Sequence, residues 1–300
     1  MLKQFLAGAA VALALAVTPA CAQTAPAAAA ATDADPALWV VKDADTTMYL
    51  FGTVHVLKPG LTWFDEAVKT AFDGSDTLVL ELIEPDPGAL QKIAVAKGFN
   101  PTGPTLSSKL PAEKRAGVAK ALGEVGLPEQ VYERMDPWMA AVTLAVAPLA
   151  KLGYDPNSGA EKVLAASAKT GGKQIVGLET AEQQLGFFDA LSEPAQVGFL
   201  VSTVDDLPEV PVEMNRMVTS WAKGDPETLG TILNDNLKDS PEVGKLLLTD
   251  RNARWAEWIE TRMAKPGTVF VAVGAGHLAG AGSVQAQLAA RGLKAERVKY

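Results

Sequence analysis

Apolar positions follow two spacings along this chain. Short unbroken runs rich in β-branched and aromatic residues mark buried strands: Leu38 to Val41, Thr47 to Phe51, Thr77 to Leu82 and Thr268 to Val273. The first two flank an Asp43-Ala44-Asp45 turn and predict a hairpin. After Pro59-Gly60, residues Thr62 to Phe72 show helical spacing and stop at Gly74 before the strand Thr77–Leu82, a β-loop-α-β unit. The end of the chain has the same plan: strand Thr268–Val273, a loop, a helix from Ser283 to Arg291, a Gly292 stop and a strand from Lys294 to Lys299. The pattern predicts an α/β fold whose central sheet is built from two related halves.

Between the halves, over about residues 86–263, runs a helical insert with prolines at 87, 111, 128, 137, 194, 211, 226 and 241, several suited to a first helical turn. Within it, Gly171-Gly172 followed by Lys173 to Glu179 reads as turn and short strand. Trp138 to Leu152 is strongly apolar but interrupted by Pro148 and Lys151, and it is shorter than the roughly 20 residues of a membrane span, so it predicts a buried helix. Trp138, Phe187, Phe188, Trp221, Trp255 and Trp258 are spaced as core positions of a cap over the sheet.

The amino terminus changes the picture of where the chain works. Lys3 precedes an apolar stretch from Phe5 to Val17 and the small residues Ala20-Cys21-Ala22, the signature of a secretory signal peptide cleaved after Ala22. A lipoprotein modified at Cys21 would want an aliphatic residue where Thr18 stands. Residues 23–35 read as a flexible tether, and 36–300 as the folded domain of a periplasmic or secreted protein. Cleavage removes the single cysteine, so no disulfide or thiolate site is available, and losing Lys3 takes the formal charge from −8 to −9. An acidic chain of this kind is a poor partner for nucleic acid.

The chain has only two histidines, and each follows a strand as Gly-x-x-His: Gly52 to His55 and Gly274 to His277. Glu81 interrupts the apolar strand Leu78–Leu82, and Glu179 closes another, so four polar groups are expected at strand ends, where α/β sheets place their sites. A carboxylate buried inside such a strand needs a cation, a metal or solvent. Two imidazoles and two carboxylates suit a divalent Mn, Co, Fe or Zn ion with nitrogen and oxygen ligands. Each residue also has a plain structural reading: a single histidine is commonly a satisfied core residue, Glu179 and Glu161 stand where carboxylates stabilise a first helical turn, and Arg251-Asn252 fit a solvated helix face. The glycines at 274, 276, 280 and 282 lack phosphate-loop spacing, and no Gly-x-Ser-x-Gly elbow is present.

These motifs together resemble the TraB/GumN family, whose eukaryotic relatives include the Tiki proteases. The resemblance runs from Leu38 to Tyr300 and rests on Leu50 to His55, Leu80-Glu81-Leu82, Gly177 to Thr180 with Gln183 or Gln184, Arg251-Asn252 with Trp255, and Val273 to Gly280. It implies metal-dependent peptide-bond hydrolysis that would fall to His55, His277 and Glu81; read without it, the two histidines hold a divalent ion with Glu81 or Glu179 while the other carboxylate takes a proton from water, which with Arg251 makes Glu81, Glu179 and Arg251 the catalytic candidates, acting on a peptide or small-molecule substrate. The residues themselves leave two other readings open: a haem- or iron-binding protein, and a metal-free hydrolase with histidine as general base.

Overall fold

A computed structural model describes residues 32–234, 237 and 240–300; the expected signal segment and most of the expected tether lie outside the described residues. Strands β1 (Thr32–Asp33) and β4 (Leu61–Thr62) pair in a small parallel ribbon. The central sheet has six strands in the order β6-β5-β7-β3-β2-β8. They are β2 (Leu38–Lys42), β3 (Thr46–Thr53), β5 (Thr77–Leu82), β6 (Gln174–Glu179), β7 (Gly267–Gly274) and β8 (Glu296–Arg297). The four strands from β6 to β3 are mutually parallel, whereas β2 runs antiparallel to both of its neighbours.

Alternation along the strands sorts their side chains onto two faces. Phe51, Leu78, Leu80, Phe270 and Ala272 enter one core beneath the earlier helices of the insert, Trp138 and Ala160 among their neighbours, and Met48, Leu50, Val79, Val269 and Val271 enter the other, beneath the insert's last helix, Asp250–Met263, and Val284–Ala289. The expected buried helix is Pro137–Lys151, with Trp138 fully buried. The Asp43 carboxylate accepts hydrogen bonds from the amides of Asp45 and Thr46, which closes the predicted hairpin turn.

Two boundaries differ from the reading of the sequence. The helix expected from Thr62 starts at Glu66, because Leu61–Thr62 pairs with Thr32–Asp33 and Trp63 stacks on Phe51 at 5.5 Å. The final strand is only Glu296–Arg297: Ala295 and Val298 fall on opposite faces, so Lys294 to Lys299 has no continuous apolar face, and beyond two residue pairs on β2 the Val298 N–H donates to the Leu38 carbonyl at 2.9 Å. Both β-loop-α-β units occur, but the first reaches β5 by crossing β7, and the second crosses β3 and β2 to the far edge. Among the described residues no helix is long and apolar enough to cross a membrane.

Candidate functional site

Because β6, β5, β7 and β3 are parallel neighbours, their carboxyl ends lie along one edge of the sheet. Gly52 pairs with Val273 and Thr53 with Gly274, so the two Gly-x-x-His segments leave adjacent strands one register step apart. The two segments approach closely there: a Cβ on Gly52 would stand 3.0 Å from the Cα of Ala275, at the start of the second segment. The Gly52 carbonyl accepts a 2.7 Å hydrogen bond from the buried indole of Trp221.

His55 meets the start of the helix Ala160–Thr170. Ala160 N–H donates to the Val54 carbonyl at 3.0 Å, and a Cβ on Gly159 would lie 2.3 Å from the His55 carbonyl oxygen, so only glycine lets the two backbones touch. This contact carries Glu161 to the imidazole, Oε1 to Nδ1 at 3.1 Å, with the two side chains 12% and 17% exposed. The contact has ion-pair distance but poor hydrogen-bond angles; among the described residues neither ring nitrogen of His55 nor Glu161 Oε2 has a hydrogen-bond partner. Burial opposes the charged ring, but Glu161, and Glu81 behind it, outweigh burial and the repulsion of Arg251, so the His55 pKa lies above the ordinary imidazole value. Glu161 is thus more than a helix-start carboxylate.

The other sequence-predicted residues converge on Arg251, and here the expected solvated helix face is wrong. Arg251 and Asn252 are 2% and 0% exposed, because Arg251 shares the inward stripe of its helix with Trp255 and Ile259 at four-residue spacing. The guanidinium donates through Nη2 to Glu81 Oε2 and Glu179 Oε2, both at 2.7 Å, and through Nε to Glu179 Oε1 at 3.0 Å. Glu179 also accepts from the Trp255 indole at 3.2 Å, and Gln184 Nε2 reaches Glu179 at 3.1 Å and Glu81 at 3.3 Å. The helix cap is Thr180 with Gln183, which frees Glu179 from that duty. Glu81 Oε1 accepts the Gly274 N–H at 2.6 Å. His277 contacts Arg251 Nη1 through Nε2 at 3.2 Å and Asn252 Oδ1 through Nδ1 at 2.5 Å, with the Trp255 ring 4.4 Å away.

Two buried carboxylates face one guanidinium. Burial pushes the Glu81 carboxyl above the usual carboxylate range, opposed by Arg251 and His55, while the Glu179 charge adds to the rise. The same arrangement bears on a divalent ion. Arg251 lies between Glu81 and Glu179, and among the described residues no three His, Cys, Asp or Glu side chains gather into a group that could hold a metal. The donors present do not fit a metal held by His55, His277 and Glu81.

Trp138, Phe188, Trp221 and Trp255 are buried, in keeping with their reading as core aromatics. Phe187 instead lies beside the guanidinium groups of Arg251 and Arg254, at 5.7 and 5.0 Å from ring centre to Cζ.

Known proteins frame this arrangement. The chain is 24% identical over 265 residues to a protein of Treponema pallidum (strain Nichols) described as uncharacterized, covering 82% of this chain and 78% of that one. It is 21% identical over 253 residues to the uncharacterized protein YbaP of Escherichia coli (strain K12), covering 84% and 92%, and equally to YbaP of Shigella flexneri. No solved structure matches. The family model for TraB/PrgY/gumN matches residues 37–297, which take in both Gly-x-x-His segments and the whole Arg251 cluster. The chain therefore belongs to the TraB/PrgY/gumN family.

Proposed function

We propose that the protein is an exported hydrolase that cleaves a peptide or small ester or amide with water activated by His55, without a metal. The observation that carries the reading is the state of His55: a strand-end imidazole held at 3.1 Å by Glu161, with no hydrogen bond at Nε2. With the Nδ1 proton facing Glu161, Nε2 accepts a proton from water as the oxygen attacks the substrate carbonyl carbon, and Glu161 stabilises the imidazolium that forms. The imidazolium, stabilised also by the Glu81 charge, then gives that proton to the departing amine or alcohol when the C–N or C–O bond breaks. We read the two Gly-x-x-His units as related halves that have specialised, the first for proton transfer and the second for holding Arg251; their equivalent exits from adjacent strands support this.

The metal-dependent alternative draws its support from the resemblance to Tiki proteases, and the engagement of both carboxylates by Arg251 argues against it. Joint haem ligation by the two histidines is disfavoured by the complete burial of His277 against Trp255. The test is hydrolysis of a peptide and ester panel by the chain from Gln23 onward, by His55→Ala, and by wild type dialysed against chelator. Activity that survives chelation and is lost in His55→Ala supports the proposal. Activity lost on chelation and restored by Mn, Co, Fe or Zn refutes its metal-free part, and activity indifferent to His55 refutes the rest.

A further inference from the structure

We infer that Asn252 is a positioning residue that fixes His277 as the neutral tautomer protonated on Nδ1, so that this histidine aligns Arg251 on Glu81 and is neither the base nor a ligand. The role in catalysis rests on the function proposed above; the tautomer itself does not.

The assignment follows from the polarity of three contacts in a row. The Gly282 carbonyl can only accept, and it lies 2.7 Å from Asn252 Nδ2, which settles which end of the amide is which. Asn252 Oδ1 therefore faces His277 Nδ1 at 2.5 Å, and because that oxygen can only accept, the ring proton is on Nδ1. Nε2 is left with its lone pair, and it faces Arg251 Nη1 at 3.2 Å, a group that can only donate. The opposite tautomer would place hydrogen against hydrogen at Arg251 and lone pair against lone pair at Asn252. Neither clash could be relieved by water, since Asn252 and His277 are both 0% exposed.

The neighbours fix the planes of the groups as well as their polarity. The Trp255 ring lies 4.4 Å from the imidazole and 4.7 Å from the guanidinium carbon, centre to centre and centre to Cζ. Asn234 Nδ2 donates to the carbonyls of Gly276 and Ala279 at 3.1 and 3.0 Å, which pins the backbone on both sides of His277. At Arg251, Nη1 also reaches the Leu247 carbonyl at 3.3 Å, so Nη1 is oriented by His277 and Leu247 while Nη2 is aimed at Glu81 and Glu179. An error at Asn252 would thus pass through His277 and Arg251 to the Glu81 carboxyl, four residues in a line.

The chain's two histidines make the test direct. Protein from Gln23 onward, labelled with 15N-histidine and studied without substrate near neutral pH, gives two imidazole patterns in long-range 1H–15N correlation; His55→Ala leaves that of His277. The expected result is a protonated Nδ1 and a bare Nε2 in wild type; in Asn252→Ala, where Arg251 still faces Nε2, the Nδ1 proton loses its acceptor and its signal moves upfield. In turnover, Asn252→Ala should lower kcat by up to about 100-fold with little change in KM, the signature of misplacement. A wild-type His277 protonated on Nε2 overturns the inference, as does an Nδ1 proton signal left unchanged in folded Asn252→Ala. Should that variant not fold, the wild-type spectrum alone decides. If the tautomer is as stated but no substrate is cleaved, the hydrolase reading fails and the tautomer assignment stands.

Discussion

Replacing Arg251 with methionine keeps much of the side-chain length and removes every charge-assisted hydrogen bond to Glu81 and Glu179, at 2.7 to 3.1 Å in wild type. The three side chains are 3–4% exposed, so water cannot take over the role of the guanidinium, and the other cation nearby, Arg254, is 3.8 Å from Glu179 and half exposed. Stranding buried carboxylates in this way costs about 3–5 kcal/mol. For a domain of this size that corresponds to a fall in melting temperature of roughly 6–20 °C. Urea titration should show a lower midpoint with an unchanged slope. The loss should also depend on pH. The Glu81 pKa is already raised in the folded state, so folding favours its protonated form and its contribution to stability falls as pH rises from the unfolded to the folded pKa. Removing Arg251 raises that pKa further, so the penalty should be larger at about pH 8 than at about pH 5. A loss under about 1 kcal/mol at neutral pH, the size expected of an exposed ion pair, would refute the reasoning. So would a loss equal at both pH values.

Two further perturbations probe His55. Glu161→Gln removes the attraction that raises the His55 pKa while burial, which lowers it, remains; the acid limb of kcat/KM should start above about 6.5 in wild type and move down in the variant, and a limb that stays or rises contradicts the pairing. Gly159→Ala puts a Cβ 2.3 Å from the His55 carbonyl oxygen and 2.9 Å from its carbon, backbone that cannot swing aside, and should cost about 1–3 kcal/mol in urea titration along with most of the activity. Stability within about 0.5 kcal/mol of wild type would show that the two backbones are not held in contact.

The strands were legible because burial on both faces leaves continuous apolar runs, and Glu81 stood out by breaking one. Their lateral order was not legible, since hydrophobic pattern says which segments are strands but not that β7 enters between β5 and β3. Arg251 was misplaced for a related reason: a charged residue in a polar helical stretch reads as solvated, and only its four-residue spacing from Trp255 and Ile259 hinted at the interior. Asn252 lies on the same helix, four residues before Ala256 and seven before Ile259 on the buried side, and reads as solvated for the same reason. Glu161 looked like any first-turn carboxylate because its importance lies in a backbone contact at Gly159 that no local pattern encodes. The short β4 was hidden because its partner, Thr32–Asp33, is only two polar residues.

The place of β7 in the sheet sets the order of assembly. Thr46 pairs with Gly267 and Gly52 with Val273, so the strand that joins the two sides of the sheet is nearly the last to be synthesised. Until it arrives, β3 has no sheet hydrogen bonds to the β5–β6 pair, and the two sides meet only through core packing and contacts such as Ala160 N–H on the Val54 carbonyl. Closing a loop of this length is entropically costly, and the contacts that repay it come only at the end, which favours slow, late folding. A partly made or truncated chain ending before Gly267 would therefore lack His277 and the strand that pairs with both β3 and β5.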